Sequence, residues 1–196
     1  MNINLAINQG TKILKKNFVI NPQLDAEILM GKVINKDRKY ILLNSNKDLD
    51  NNDLIKFKSL IYKRSRGKPT AYLTFKKFFW KSEFIVSKDT LIPRPDTELL
   101  VENALKLTFQ KNQLNVLDIG IGSGCILLSI LRERKNFYGT GIDISKNCLN
   151  ISKINANKLN VSSRLKLIKT DVDKFNLGKY DLIISNPPYI NKYLIK

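Results

Sequence analysis

Histidine is absent from the 196-residue sequence, cysteine occurs only twice, and no apolar run approaches the roughly 18 residues that span a membrane. Without histidine the chain lacks the commonest general base near neutral pH and the commonest zinc ligand, so we expect no metal site. Cys125 and Cys148 are too few to predict a disulfide framework. The first residues lack the layout of a signal peptide, and we therefore expect a cytoplasmic protein without a membrane segment.

Acidic residues are scarce. There are 17 Asp and Glu against 34 Lys and Arg, which gives a formal net charge of +17. A positive field of this size favours acidic partners such as RNA. Lysine, asparagine and isoleucine are frequent along the whole chain, however, as in proteins from compositionally biased genomes. The charge alone therefore does not decide whether the protein contacts nucleic acid directly. We separately expect the protein to be a monomer.

The sequence divides into a helical front part and a longer second part. Residues 1–73 contain short helical patterns, including a helix start at Asn21-Pro22, and predict a helical-bundle domain that docks a substrate. Residues 74–90 are rich in aromatic strand formers and predict a β-hairpin or linker. Residues 91–98 contain Pro93 and Pro95 and predict a stiff linker, with Asp96 or Thr97 as the cap of the next helix.

From residue 91 to residue 196, apolar strands alternate with helices. The strands are expected at 116–119, 137–142, 165–169 and 180–185, and the helices at 125–134 and 147–159. Strands separated by helices favour a parallel sheet with right-handed crossovers. The predicted fold class is therefore α/β, with a Rossmann-like domain at 91–196.

A glycine-rich loop follows the first of these strands. Gly120, Gly122 and Gly124 come directly after the strand, and Asp118 stands just before them. Glycine lets the backbone turn tightly and approach a ligand, and the following helix offers free N–H groups. Asp143 ends the next strand, where an acid can bind both hydroxyls of a ribose. The pattern predicts a site for a cofactor that contains a nucleoside.

The details of this loop favour S-adenosylmethionine over NAD. Its spacing is Gly-x-Gly-x-Gly, whereas NAD-binding loops have Gly-x-Gly-x-x-Gly. Asp118 suits the cationic amino-acid end of S-adenosylmethionine better than it suits a pyrophosphate. Asp171, after the third strand, is placed to meet the adenine amino group, although an acid there also serves as an ordinary helix cap.

The last strand is followed by Ser185-Asn186-Pro187-Pro188-Tyr189, at the edge where open α/β sheets bind ligands. The prolines fix the backbone, so that Asn186 Oδ1 and the Pro187 carbonyl can accept both N–H bonds of a planar amide or amino nitrogen. Tyr189 can pack on the planar group. Positioning then carries the catalysis of methyl transfer. We expect Asn186, Pro187 and Tyr189 to be catalytic, Pro188 to help bind the substrate, and Asn186 to contact the cofactor as well.

These motifs resemble the HemK/PrmC family, the glutamine N5-methyltransferases of peptide-chain release factors. The resemblance rests on residues 66–73, Phe79-Trp80, 91–98, 118–124, Asp143, Asn155-Ala156 and 186–190. It implies a class I S-adenosylmethionine-dependent methyltransferase domain behind a helical docking domain. It also implies methylation of the glutamine in the Gly-Gly-Gln (GGQ) motif of class 1 release factors. Gly120, Gly122, Gly124, Asp143 and Val172 would surround the cofactor.

The chain departs from the family pattern at several positions. Phe75 stands where the family usually has glycine, Phe78 where it has an acid, and Val172 where it often has an aromatic residue. The family also continues beyond the Asn-Pro-Pro-Tyr motif. We therefore expect an incomplete sheet in a fragment or frameshift product, and its activity stays open. The alternatives are an adenine-N6 methylase of DNA or RNA, which shares that motif, and a truncated remnant without catalysis.

Overall fold

The computed structural model describes residues 1–187, which belong to two compact units, Met1–Phe75 and Lys76–Lys196. Between residues 1 and 187, no helix is both long and apolar enough to cross a membrane.

The first unit is helical. Its helices are α1 (Ile3–Lys16), α2 (Pro22–Ile34), α3 (Arg38–Leu43), α4 (Asn51–Ser65) and α5 (Thr70–Thr74). α1, α2 and α4 pack on one another around an apolar core that includes Leu14, Leu29 and Phe57. Gly10 permits the close approach of α1 and α4, because a Cβ atom there would lie 2.9 Å from Ile61 Cδ1.

Short polar side chains begin several of these helices. Asn2 accepts a hydrogen bond from the backbone N–H of Leu5 at the start of α1. Asn21 occupies the N-cap position of α2 as the sequence predicted, although its side chain makes no capping hydrogen bond. Pro22 stands at the first turn of α2, where its fixed φ fits the helix and its missing N–H costs nothing.

The second unit begins with an antiparallel hairpin of β1 (Lys76–Phe79) and β2 (Ser82–Ile85). Phe79 and Phe84 point into the core of this unit, with their ring centroids 6.1 Å apart. Trp80 occupies the turn with a positive φ of 51°. The hairpin thereby contributes two aromatic rings to the core that supports the sheet.

A 3-10 turn, Pro95–Thr97, leads into α6 (Glu98–Leu107). Thr97 takes the N-cap position of α6, but its backbone is already helical and its side chain makes no capping hydrogen bond. The predicted cap position is therefore confirmed for Thr97, although no side-chain hydrogen bond accompanies it. The hydroxyl of Thr97 is left for a different partner, described below.

The rest of the unit alternates strand and helix. The elements are β3 (Asn115–Ile119), α7 (Cys125–Glu133), β4 (Tyr138–Asp143), α8 (Lys146–Lys158), β5 (Leu165–Lys169) and β6 (Leu182–Ser185). The four strands are parallel in the order β5-β4-β3-β6, and α7 and α8 pack on the sheet. The predicted α/β architecture is confirmed. Because the strands are parallel, all their carboxyl ends lie at one edge of the sheet.

Candidate active site

The glycine loop between β3 and α7 is the centre of that edge. Gly120, Gly122 and Gly124 all have positive φ, at 75°, 57° and 81°, so the loop needs residues that tolerate the left-handed region. The glycines differ in their surroundings. A Cβ on Gly120 would have no neighbour within 4 Å, whereas one on Gly124 would lie 2.7 Å from Leu128 Cδ1. Gly120 therefore faces open space, and Gly124 lies against α7.

Asp143, at the end of β4, is hydrogen-bonded to this loop. Its Oδ2 accepts a hydrogen bond from the Gly122 N–H at 3.0 Å, and its Oδ1 accepts one from the Ser145 N–H at 2.9 Å. A carboxylate has about four acceptor positions, so two backbone donors orient it and leave capacity for two hydroxyl groups. A ribose diol would need two such acceptor positions.

Asp118 lies in β3 behind the loop and is only 2% exposed. Its Oδ2 has no hydrogen-bond partner among the described residues. Burial raises the pKa of Asp118 to about 7, a hydrogen bond from the Leu127 backbone opposes this rise, and the charge of Asp143 adds to it. A buried carboxyl oxygen without a partner is costly, and a cation or an N–H donor from a ligand would remove that cost.

Two residues of α8 that the motifs did not identify as functional hold the loop in place. Asn155 is fully buried, and its Nδ2 donates to the Ser123 carbonyl at 2.8 Å and to the Ile85 carbonyl at 2.9 Å. Ser152 Oγ donates to the Gly122 carbonyl at 2.8 Å. The pair Asn155-Ala156 had been noted in the sequence only as part of a family resemblance, since no local spacing connects α8 to the loop.

Asn186 and Pro187 follow β6 at the same edge. Ser185 pairs with Ile119 in the sheet register, so Asn186 lies beside the start of the glycine loop. Asn186 Nδ2 donates to Thr97 Oγ1 at 3.3 Å. Thr97 had been expected only as a helix cap. The predictions for Pro188 and Tyr189 lie outside the described residues.

Asp171 and Val172 follow β5 and are exposed. Asp171 Oδ1 accepts a hydrogen bond from the Asp173 N–H at 3.1 Å and so caps a short 3-10 turn, Val172–Lys174. The neighbouring Thr170 N–H donates to the Asp143 carbonyl, which ties this segment to β4. The structure thus brings Asp143, the glycine loop, Asp171 and Asn186 to one edge of the sheet, with Asp118 buried beneath.

The remaining chemistry of the described residues is limited. No group of three or more His, Cys, Asp or Glu side chains that could hold a metal ion occurs among residues 1–187. Burial raises the pKa of the Cys125 thiol to about 12 and also raises the pKa of Cys148. Neither thiol is suited to act as a nucleophile at neutral pH.

Comparisons with known proteins match both parts of the chain. The profile of the PrmC N-terminal domain matches residues 6–74, and that of the methyltransferase small domain matches residues 94–194. The chain is 39% identical over its whole length to the release factor glutamine methyltransferase of Buchnera aphidicola subsp. Acyrthosiphon pisum, and spans 69% of that protein. The chain belongs to the release factor glutamine methyltransferase family.

Two further relatives show how much of a longer protein the chain spans. It is 37% identical over 94% of its length to the release factor glutamine methyltransferase of Leptospira interrogans, and spans 66% of that protein. It is 36% identical over 94% of its length to a bifunctional methyltransferase of Rickettsia typhi, and spans 39% of that protein. The chain thus covers about two fifths to two thirds of the length of these relatives.

Solved structures give a partial match. The S-adenosylmethionine-dependent methyltransferase of Geobacter sulfurreducens, in complex with S-adenosyl-L-homocysteine, is 26% identical with a TM-score of 0.40. The match covers 44% of this chain and 35% of that one. With the family established by sequence, the α/β unit is a Rossmann-like class I methyltransferase domain, as the sequence predicted.

Proposed function

We propose that this protein transfers a methyl group from S-adenosylmethionine to the side-chain amide N5 of the glutamine in the GGQ motif of class 1 peptide-chain release factors. The observation that carries the proposal is the position of Asn186, a carboxamide at the carboxyl end of β6 beside the glycine loop. A planar amide substrate is recognised by groups that accept its N–H bonds, and the names of the relatives supply the substrate class.

The described residues fit S-adenosylmethionine. The unpartnered Asp118 Oδ2 is a receptor for the cationic amino group of its methionine part. Asp143, oriented by Gly122 and Ser145, binds the ribose hydroxyls. The open space over Gly120 admits the cofactor close to the backbone, and Asp171 and Val172 border the adenine. When bound, the cofactor supplies an electrophilic methyl group on a sulfonium.

The chain's own contribution to the reaction is to orient the glutamine amide. Amide nitrogen is a weak nucleophile because its lone pair is delocalised, so alignment matters more than a strong base. Asn186 Oδ1 and the Pro187 carbonyl accept the two N–H bonds of the substrate amide. Pro188 and Tyr189 lie outside the described residues, and their roles in substrate binding stay predictions from the sequence motif.

The helical unit serves as the docking module for the release factor. A largely apolar cleft of about 230 Å³ lies between α1 and α4, and Ile13 and Tyr62 on its rim are 46% and 65% exposed. Exposed apolar side chains around a cleft are typical of a protein-binding surface. Lys58, also in the lining, adds a positive charge for an acidic partner.

The test is methyl transfer from labelled S-adenosylmethionine to a purified class 1 release factor. We expect the GGQ protein to take the label and a variant with alanine in place of that glutamine to remain unlabelled. Transfer to the alanine variant, or to DNA or RNA instead of the release factor, would contradict the proposal, the second outcome supporting an adenine methylase. Binding of S-adenosylhomocysteine without any transfer would identify the chain as a non-catalytic remnant.

A variant separates substrate orientation from cofactor binding. We expect Asn186→Ala to reduce turnover by about 100-fold or more, because alignment of the amide is lost. Its affinity for S-adenosylhomocysteine, measured by calorimetric titration, should stay near that of the unchanged protein. A loss of cofactor affinity with unchanged turnover would show that Asn186 has been given the wrong role.

A further inference from the structure

We infer that Thr97 is a positioning residue that holds the Asn186 carboxamide with its Oδ1 towards the substrate. The inference rests on the proposed function, since it concerns the recognition of a planar amide at Asn186. The two ends of a carboxamide are similar in shape but opposite in hydrogen bonding. Only Oδ1 can accept an N–H bond. A carboxamide rotated by half a turn would therefore direct its own Nδ2 donor at the N–H donors of the substrate amide.

A hydrogen bond of 3.3 Å from Asn186 Nδ2 to Thr97 Oγ1 holds the Asn186 carboxamide. Thr97 is half-buried, and its hydroxyl makes no capping bond to α6. With Nδ2 held by Thr97, Oδ1 is the end available to a ligand. Because a hydroxyl can donate as well as accept, Thr97 holds the carboxamide in place through this bond, and the direction of the bond, from Nδ2 to Oγ1, leaves Oδ1 towards a ligand.

Thr97 is itself held in a rigid segment. Its N–H donates to the Arg94 carbonyl at 3.1 Å and closes the 3-10 turn. The next residue, Glu98, accepts a hydrogen bond from the Trp80 N–H at 2.8 Å, which ties the segment to the hairpin turn. Pro93 and Pro95 restrict the backbone before it. The linker of residues 91–98 is therefore part of the reaction site, through a single hydroxyl.

The direct test is the side-chain amide signal of Asn186 in a nitrogen-15 NMR spectrum of the full chain, assigned by its disappearance in Asn186→Asp. In Thr97→Val, a near-isosteric change that removes the hydroxyl, we expect this signal to shift and its hydrogens to exchange faster with water. Thr97→Ser keeps the hydroxyl and should leave the signal nearly unchanged. An unchanged signal in Thr97→Val would overturn the inference, as would an equal shift in both variants.

A kinetic test follows the same pair. We expect Thr97→Val to lower kcat for methylation of the release factor by about tenfold, with cofactor affinity unchanged and Thr97→Ser within about twofold of the parent. In an Asn186→Ala background, Thr97→Val should have no further effect, because its partner is gone. An equal loss in both backgrounds would mean that Thr97 does not act through Asn186.

The NMR result separates this inference from the proposed function. If the amide signal responds to Thr97→Val and not to Thr97→Ser, the contact that positions Asn186 is established whatever the substrate. If in the same preparation the unchanged protein fails to label a release factor, the proposed function is wrong while the positioning role stands.

Discussion

The side chain of Asn155 joins Ile85 of the hairpin to the loop that precedes α7. Its Oδ1 accepts from the Ile85 N–H at 2.7 Å, and its Nδ2 donates to the Ile85 and Ser123 carbonyls at 2.9 and 2.8 Å. The carboxamide thereby pairs with β2 as another strand would. A buried polar group of this kind stabilises the fold only while all its partners are satisfied.

Replacement of Asn155 is expected to affect both stability and the cofactor site. Asn155→Ala removes the side-chain partner of three buried or part-buried backbone groups and should lower the free energy of unfolding by about 2–4 kcal/mol, measured by urea denaturation. It should also weaken S-adenosylhomocysteine binding, since Ser123 belongs to the glycine loop. Asn150→Ala on the exposed side of the same helix is the control and should change stability by less than about 0.5 kcal/mol. Similar losses in the two variants would refute the bridging role.

Asp118 makes stability depend on pH. Its pKa in the folded protein is about 7, raised by burial from an ordinary value of 3.8. The folded state therefore holds this proton more tightly than the unfolded state does. The resulting stabilisation is complete below pH 3.8, declines as the pH rises towards 7, and is absent above that.

Asp118→Asn cannot ionise, so its stability should not show this decline, and we expect it to exceed the parent above neutral pH. Urea denaturation at a series of pH values checks the difference between the two proteins. Asp173→Asn, at an exposed position, is the control and should follow the parent at every pH. The prediction fails if parent and Asp118→Asn lose stability in parallel.

Gly120 and Gly124 are expected to respond differently to alanine. Both have positive φ, so each substitution carries a backbone cost of about 1 kcal/mol. At Gly124 the new methyl group also meets Leu128 at 2.7 Å, and the loss of stability should be larger. At Gly120 the methyl group enters open space, so the main effect should be weaker binding of S-adenosylhomocysteine. Thermal unfolding and calorimetric titration of both variants provide the comparison, and the reverse ranking would contradict it.

Phe75 is strained by its backbone. It ends α5 with φ of 61°, a conformation that favours glycine, and its ring is 54% exposed with Lys32 nearby. We expect Phe75→Gly to raise the free energy of unfolding by about 0.5–1 kcal/mol by relieving this strain. Phe78→Gly is the matched control, an exposed phenylalanine in β1, and should lower stability because glycine is unfavourable in a strand. Destabilisation by both changes would show that the Phe75 ring contributes more than its backbone costs.

The fold class was predictable because it depends on local patterns. Short apolar strands separated by helices, with a glycine loop after the first, specify a parallel α/β sheet and a cofactor edge from spacing alone. Family membership was predictable from contiguous motifs such as residues 91–98 and 186–190. The roles of the individual site residues stay predictions, which the variants above would test.

The sequence by itself determined the α/β class, the family, and the placing of Asp143 and Asn186 at the ends of strands. These features depend on apolar strand patterns, turn residues and contiguous motifs, each of which extends over only a few positions. Only the tertiary structure decided that Thr97 contacts Asn186 across 89 positions and that Asn155 contacts Ile85 across 70. It also decided that Asp118 is buried, that its Oδ2 lacks a partner among the described residues, and that its pKa is raised to about 7. Hydrogen bonding and desolvation depend on which groups meet in space, and no local spacing encodes that meeting.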